Sequence, residues 1–299
     1  MSITAIILTF NEELHIERCI KSIKPLVKDI FVVDSYSTDN TVNIAESLGA
    51  NVYKNKFINQ ATQFNWALEN CPIKTDWVWR IDADEYADKN LINKLKDILP
   101  GLSKDITGIY VKRGIVFYGK LLKFGTWSPR WNLKIFRYKV GYCENRWMDE
   151  HIKLKYGNTV NINGLQIDDN RNDLTWWTQK HNNYATREMI DMFMLNYRYQ
   201  KQEVKPKLFG NEEQRKRWLK LRYAGIPLFV RPFLNFIYRY FLRLGFLDGI
   251  QGFIWHILQG FWYRMLVDAK IWEIKRRFNN NSEQIIKYLD KEYNIFNKQ

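Results

Sequence analysis

Apolar positions in the first hundred residues fall into short runs separated by polar, helix-forming stretches. SITAIILTF, from Ser2, is a β-rich run, and Asn11 to Lys24 reads as a helix. DIFVVDS is a second strand, and STDNTVNIAESLG predicts a helix with Ser or Thr at its cap and Gly49 just past its end. ANVYK is a short third strand, Asn59 to Asn70 a helix, and DWVWRID a fourth strand. Strands buried on both faces read as continuous apolar runs instead of alternating ones, so this order predicts a mostly parallel sheet covered by helices. The class is α/β, doubly wound.

From Thr107 to about Asn163 the pattern changes to short strands, such as GIYVKR and LKIFRY, among Gly, Pro and Trp. A mixed-sheet extension with long loops is expected there. After Asp173 the chain reads as helical to its end. Arg231, Asn235, Arg239 and Arg243 step by four and share one face, with Phe233, Phe236, Ile237, Tyr240, Phe241 and Leu244 around them. Ile250, Phe253, Ile254, Ile257, Leu258, Phe261, Trp262, Met265 and Leu266 follow helical spacing. The uncharged run from Gly249 to Tyr263 falls short of the roughly 20 apolar residues of a membrane span. It is expected to lie as a basic amphipathic region in a membrane interface, the alternative being a core helix of a soluble bundle. The expected division is 1–170, in two parts at 1–106 and 107–170, followed by a helical, basic, membrane-associating region at 171–299.

Composition narrows this. Of 299 residues 46% are hydrophobic and 16% aromatic, which excludes a disordered chain. The net charge of +14 is uneven: residues 1–100 hold 11 Lys+Arg against 14 Asp+Glu, and the rest 35 against 18. A basic surface therefore belongs to the later part, with anionic lipid, a phosphorylated acceptor or nucleic acid as candidate partners. Cys19, Cys71 and Cys143 have no metal or CxxC spacing and read as reduced, buried thiols. The opening MSITAIILTFNEE lacks a basic n-region and reads as a first strand, not a signal peptide. No GxGxxG, P-loop or GxSxG pattern occurs in the sequence.

The chemistry concentrates where WVWRIDADEY drives an apolar strand into Asp82, Asp84 and Glu85. Ligands bind open α/β sheets at the carboxyl ends of strands. Asp82 and Asp84 are two apart, so an extended chain points them to one side, where they repel unless a cation or hydrogen bonds satisfy them. Mg²⁺ and Mn²⁺ favour such oxygens and share their shell with substrate phosphates. A lone DxD also occurs in solvated helix caps. Here, however, Asp34 ends the second strand, where its carboxylate can accept from a nucleobase N–H, and ILTFNEE ends the first, so three strand ends converge on one polar crevice.

ILTFNEE, VVDSYSTDNT and WRIDADE, in this order and spacing, resemble the inverting glycosyltransferases of family 2, which have the GT-A fold with a Rossmann-like, mostly parallel sheet. With DEH, KHNNYATRE and an Arg/aromatic tail containing GFLDGIQGF, the whole chain resembles bacterial transferases that build lipopolysaccharide cores and related surface glycans. The resemblance implies that 1–170 is a GT-A catalytic domain with a nucleotide-sugar half (1–106) and an acceptor half (107–170), that Thr9, Asn11 and Glu12 line the nucleotide pocket and that Asp34 meets the base, most often uracil. It puts Asp82 by the ribose and metal, and has Asp84 ligate the Mn²⁺ or Mg²⁺ that bridges the diphosphate. A late acidic residue would deprotonate the acceptor hydroxyl. RWMDEHI offers Asp149 and Glu150 beside His151; many relatives show His-Glu here, so the choice stays open, with Glu150 favoured.

Further candidates for acceptor or phosphate are Arg130, Lys134 and Arg137 of SPRWNLKIFR, His181, and the QxxRW of Gln214, Arg217 and Trp218, each with a structural or surface role as the plainer alternative. The expected activity is metal-dependent transfer from a nucleotide-sugar, most often UDP-linked, to a lipid-linked or lipopolysaccharide-core saccharide. The expected location is cytoplasmic, peripheral on the inner face of the cytoplasmic membrane, against an anionic surface. Nucleic acid is not expected, because the acids at the strand ends would repel it. Two alternatives stand beside this: a polyprenyl-phosphate sugar synthase, and a non-catalytic basic membrane- or nucleic-acid-binding protein.

Overall fold

The computed structural model describes residues 2–126, 128–144, 151–197, 209, 218, 222–293 and 295. The chain forms two compact units, Met1–Asn172 and Asp173–Gln299.

The first unit follows the alternation read from the sequence. It begins β1 (Ile3–Thr9), α1 (Ile16–Ile23), β2 (Asp29–Asp34), α2 (Thr41–Ser47), β3 (Asn51–Lys54), α3 (Gln60–Asn70) and β4 (Trp77–Asp82). It continues β5 (Glu85–Ala87), α4 (Lys89–Ile98), β6 (Ile106–Phe117), β7 (Lys120–Leu122), β8 (Arg130–Arg137), β9 (Gly141–Cys143), β10 (Ile152–Leu154) and β11 (Asn158–Asp168). Among the described residues, nine strands form one sheet in the order β3-β2-β1-β4-β8-β6-β11-β5, with β7 paired to β6. β3, β2, β1 and β4 are parallel, while β8 runs antiparallel to β4 and β6. β9 and β10 form a separate two-stranded sheet. The mixed α/β class agrees with the sequence reading.

Two apolar layers sandwich the sheet. Ile3, Ala5, Ile7, Trp77, Trp79 and Ile81 face α1 and α4, and Ile6, Phe31, Val33 and Val78 face α3. Alternate residues of β1 thus enter opposite layers, as a strand covered on both faces requires. Asn59 and Asp88 cap α3 and α4 with side-chain oxygens accepting the N–H of Thr62 and Leu91. The predicted helix from Asn11 begins only at Ile16, because residues 11–13 turn their N–H groups to the β2–α2 loop. Asn11, at φ 54°, donates to Ser37 Oγ at 2.9 Å, Glu12 to Thr41 Oγ1 at 2.7 Å, and Glu13 to Asp39 Oδ2 at 3.1 Å.

The second unit is helical among its described residues: α5 (Leu174–Asn196), α6 (Val230–Ile237), α7 (Gly249–Trp255), α8 (Tyr263–Arg277) and α9 (Ser282–Tyr293). Met189, Phe193, Val267, Ile271, Ile285 and Leu289 form its core. No described helix is long and apolar enough to cross a membrane.

Candidate active site

Strand register assembles the site. Thr9 pairs with Asp34, Leu8 with Asp82, and Asp168 with Glu85, so the ends of β1, β2, β4 and β11 and the start of β5 share one edge of the sheet. Arg130, the first residue of β8 and exposed, pairs with Arg113 at the same edge.

The three acids of DADE separate into two roles. Asp82 ends β4, Ala83 and Asp84 form a turn, and Glu85 starts β5. Asp82 and Asp84 are half-buried, between buried Ala83 and buried Glu85. The Glu85 carboxylate, wholly buried, accepts from Lys134 Nζ at 2.9 Å, from Arg113 Nε at 2.7 Å, from the Asp82 N–H at 3.1 Å and from the Gln166 amide. Burial alone would push this carboxyl up; Lys134 and Arg113 outweigh it and hold it well below the usual carboxylate range. Glu85 is therefore the anionic footing of the turn that presents its two neighbours.

Asp82 keeps 27% of its side chain exposed, with Lys134 Nζ at 3.8 Å and Arg80 Nε at 3.9 Å. Burial still raises its carboxyl, Lys134 and Arg80 opposing and Glu85 and Asp84 adding to the rise. Asp84 Oδ2 accepts from Asn170 Nδ2 at 3.1 Å. The Asp84 carbonyl accepts from the Asp169 N–H at 3.1 Å and from Arg18 at 3.3 Å, and Arg18 also pairs with Asp169. Two half-exposed carboxylates on a rigid turn are a donor set that fits a hard divalent cation, which usually completes its shell with water and substrate phosphate. Among the described residues no group of three or more His, Cys, Asp and Glu is placed to hold a metal ion, so this pair is the donor set that the described residues offer.

Asp34 is fully buried. Its Oδ1 accepts from Thr9 Oγ1 at 3.0 Å and Ser37 Oγ at 2.5 Å, and its Oδ2 from the Ser37 N–H at 2.8 Å. It anchors the β2–α2 loop, leaving about one of some four carboxylate acceptor positions for a base. Asn11 Oδ1 accepts the Thr38 N–H at 2.8 Å. Glu12 Oε2 lies 2.6 Å from His15 Nδ1, and His15 Nε2 accepts the Arg171 N–H at 2.8 Å. That acceptor role puts the ring proton on Nδ1, where it bonds Glu12. Through His15, Glu12 thus holds the segment after β11.

Asp149 and Glu150 lie outside the described residues, as does Arg217. His151 is exposed, with Nδ1 3.2 Å from Glu144 Oε1. At the end of β9 the Cys143 backbone exchanges two hydrogen bonds of 2.8 Å with the Asn65 amide, and Arg80 donates to Cys143 Sγ at 3.3 Å. Arg80 thus connects the end of β9 with Asp82. Lys134 reaches the site, but Arg137 is at the opposite end of β8, donating to the carbonyl oxygens of Ile106 and Ser103. In the second unit, Trp218 has the Arg222 guanidinium 5.1 Å from its ring centre.

His181 packs within the second unit. Its ring stacks on Trp177 at 3.5 Å, and Nδ1 donates to the Trp177 carbonyl at 2.9 Å. Burial, with Lys180 adding, pushes it down to about 4 against the opposing carbonyl bond. A His neutral in the fold and ordinary when unfolded stabilises fully above about pH 6.5 and loses that contribution as pH falls toward 4. The urea midpoint is thus expected to fall more steeply between those pH values for wild type than for His181→Gln. Parallel curves would refute the packed, neutral histidine.

Arg18, Arg113, Asp169, Asn170 and the footing role of Glu85 escape the sequence reading. A charge inside an otherwise apolar strand, as with Arg113 and Lys134, is the one available signal of an inward ion pair. The Cys19, Cys71 and Cys143 thiols are buried and in no disulfide.

Residues 4–149 match the family model described as Glycosyl transferase family 2. An uncharacterised glycosyltransferase of Rickettsia bellii (strain RML369-C) is 43% identical over 103 residues, 34% of this chain and 34% of that protein. The chain therefore spans about a third of that relative. The lipopolysaccharide core biosynthesis glycosyltransferase LpsC of Rhizobium meliloti (strain 1021) is 28% identical over 291 residues, 91% of this chain and 93% of LpsC. Among solved structures, glucosyl-3-phosphoglycerate synthase of Mycobacterium tuberculosis, in complex with Mn²⁺, UDP and glucosyl-3-phosphoglycerate, is 26% identical with a TM-score of 0.33, over 38% of this chain and 44% of that one.

Proposed function

We propose, from the premise that this chain is a glycosyltransferase with a family 2 domain at residues 4–149, that it moves a sugar with inversion from a nucleoside-diphosphate donor to a saccharide acceptor. The observation that carries this reading is the pair of half-exposed carboxylates, Asp82 and Asp84, set on the buried Glu85 footing at the shared strand edge.

Asp82 and Asp84 would hold Mn²⁺ or Mg²⁺, which when bound offsets the charge developing on the leaving diphosphate. The residues of the chain supply the rest. Thr9, Asn11 and Asp34 shape a floor for the nucleoside, and Lys134 and Arg80 keep the ground around Asp82 cationic. A carboxylate from Asp149 or Glu150 would take the acceptor proton; Cys143, a few residues earlier in the chain, is joined to Asp82 through Arg80. A lipopolysaccharide-core or other lipid-linked saccharide, met at the inner face of the cytoplasmic membrane, is the acceptor this reading favours. The near full-length likeness to LpsC supports it.

Calorimetric titration of UDP, GDP and CMP, each with and without Mn²⁺, tests the donor. One nucleotide, with UDP expected, should bind about tenfold or more tightly with metal. If folded protein binds none of the three in either condition, the reading fails.

A further inference from the structure

Residues 229–253 reverse the usual arrangement of a helical surface in water. The polar stripe of α6 and the turns after it points inward. Arg231, 1% exposed, donates to Asp268 Oδ1 from Nε at 2.7 Å and from a terminal guanidinium nitrogen at 2.5 Å, while Asp268 Oδ2 accepts the Phe229 N–H at 2.8 Å. Asn235 donates to the Gly260 carbonyl at 2.6 Å, and Arg239 to Gln259 Oε1 at 2.7 Å. With those groups satisfied inside, the outer face is left apolar. Phe233, Leu234, Ile237, Phe241, Leu242 and Ile250 are between 47% and 72% exposed. Contiguous exposed apolar surface of this kind marks an interaction site.

At one end of this face lies a hollow of about 460 Å³, lined by Leu228, Trp272, Lys275, Arg276, Asn279 and Asn280. Leu228 directly precedes Phe229, so the hollow adjoins the apolar face where α6 begins. The Arg276 guanidinium lies 5.1 Å from the ring centre of Trp272, which is half-exposed. Two cations, two amides and an indole beside an apolar face are the chemistry of the lipid headgroup layer, where Trp and basic side chains concentrate. Residues 173–299 hold 22 Lys+Arg against 12 Asp+Glu, so a second copy would set like charge against like, whereas an anionic bilayer complements it.

We propose that the apolar face of residues 229–253 lies in the interface of an anionic bilayer and that the hollow lined by Lys275, Arg276 and Trp272 receives a lipid phosphate. This deepens the lipid-linked acceptor reading but rests on the surface alone.

The test is co-sedimentation of the full chain with vesicles of phosphatidylcholine, alone or with roughly one-third phosphatidylglycerol, at low salt. Wild type should bind the anionic vesicles and only weakly the neutral ones. Leu242→Asp and Ile250→Asp, both at exposed positions, should each bind about tenfold less or worse, with an unchanged circular dichroism spectrum. Lys275→Glu with Arg276→Glu should remove the preference for anionic lipid. Asp84→Asn should bind as wild type does, which separates this surface from any failure of the transferase reading. Wild type left in the supernatant with anionic vesicles, or full binding by Leu242→Asp, would overturn the proposal. So would a wild-type dimer in solution that Leu242→Asp converts to monomer, since a second copy would then cover the face.

Discussion

Glu85→Ala is expected to destabilise the first unit by about 3–5 kcal/mol, the cost of breaking a buried ion pair from one side. The truncation leaves Lys134 and Arg113 without the carboxylate that each of them contacts, and it removes the acceptor of the Asp82 N–H. Urea denaturation followed by circular dichroism measures the loss. Lys134→Met in the same background should recover part of it, because a stranded cation is worse than an apolar side chain in its place. A loss below about 1 kcal/mol, as for surface pairs, would show that the footing is not a buried ion pair. The sign of the pH dependence follows from the depressed carboxyl. Its stabilisation is fully present above the ordinary glutamate value near 4.3 and is lost progressively as pH falls from there toward the lower folded value. The gap between wild type and Glu85→Gln should therefore stay constant from pH 8 to about pH 5 and narrow below about pH 4.

Asp84→Asn should leave the fold intact and lower transfer by about 10²–10³-fold, the usual cost of removing one preorganised electrostatic contact at a developing charge. The side chain is half-exposed, and the Asn170 Nδ2 that it accepts from can still donate to an amide oxygen, so the turn is kept while a negative charge is lost. Metal-dependent nucleotide binding should weaken in parallel, and any metal-independent binding should remain. Turnover and calorimetry on the same preparation decide the matter. Full activity in the variant would remove Asp84 from the metal site and end the two-carboxylate reading.

These two neighbouring acids also show where sequence reasoning reaches its limit. The apolar runs of β1, β2 and β4 are local signals, and the strand ends follow from them: Thr9, Asp34 and Asp82 stand on one edge as expected. The inward turn of Glu85 is not local. It depends on β5 pairing with β11, some eighty residues later, which brings Gln166 and Asp168 beside it, and on Lys134 and Arg113 of two further strands. Asp34 is similar, since its carboxylate is taken up by Ser37 of a tight loop that no periodicity describes. The stepped row Arg231, Asn235, Arg239 was legible as a single face. Its inward direction was not, because Asp268 and Gln259, which receive it, lie on later elements.

The interlocked loops after β1 and β2 bear on recognition through chain entropy. Thr38, Asp39 and Asn40 are bound to Asn11 and Glu13 in the protein alone. Ordering a mobile residue costs roughly 1–2 kcal/mol, and here that loss accompanies folding instead of ligand capture. A molecule entering between these loops meets donors and acceptors already in place. Such walls favour fit over accommodation: a ligand of the right shape keeps nearly all of its contact energy, and one displaced by the width of a methyl group finds no slack to absorb it.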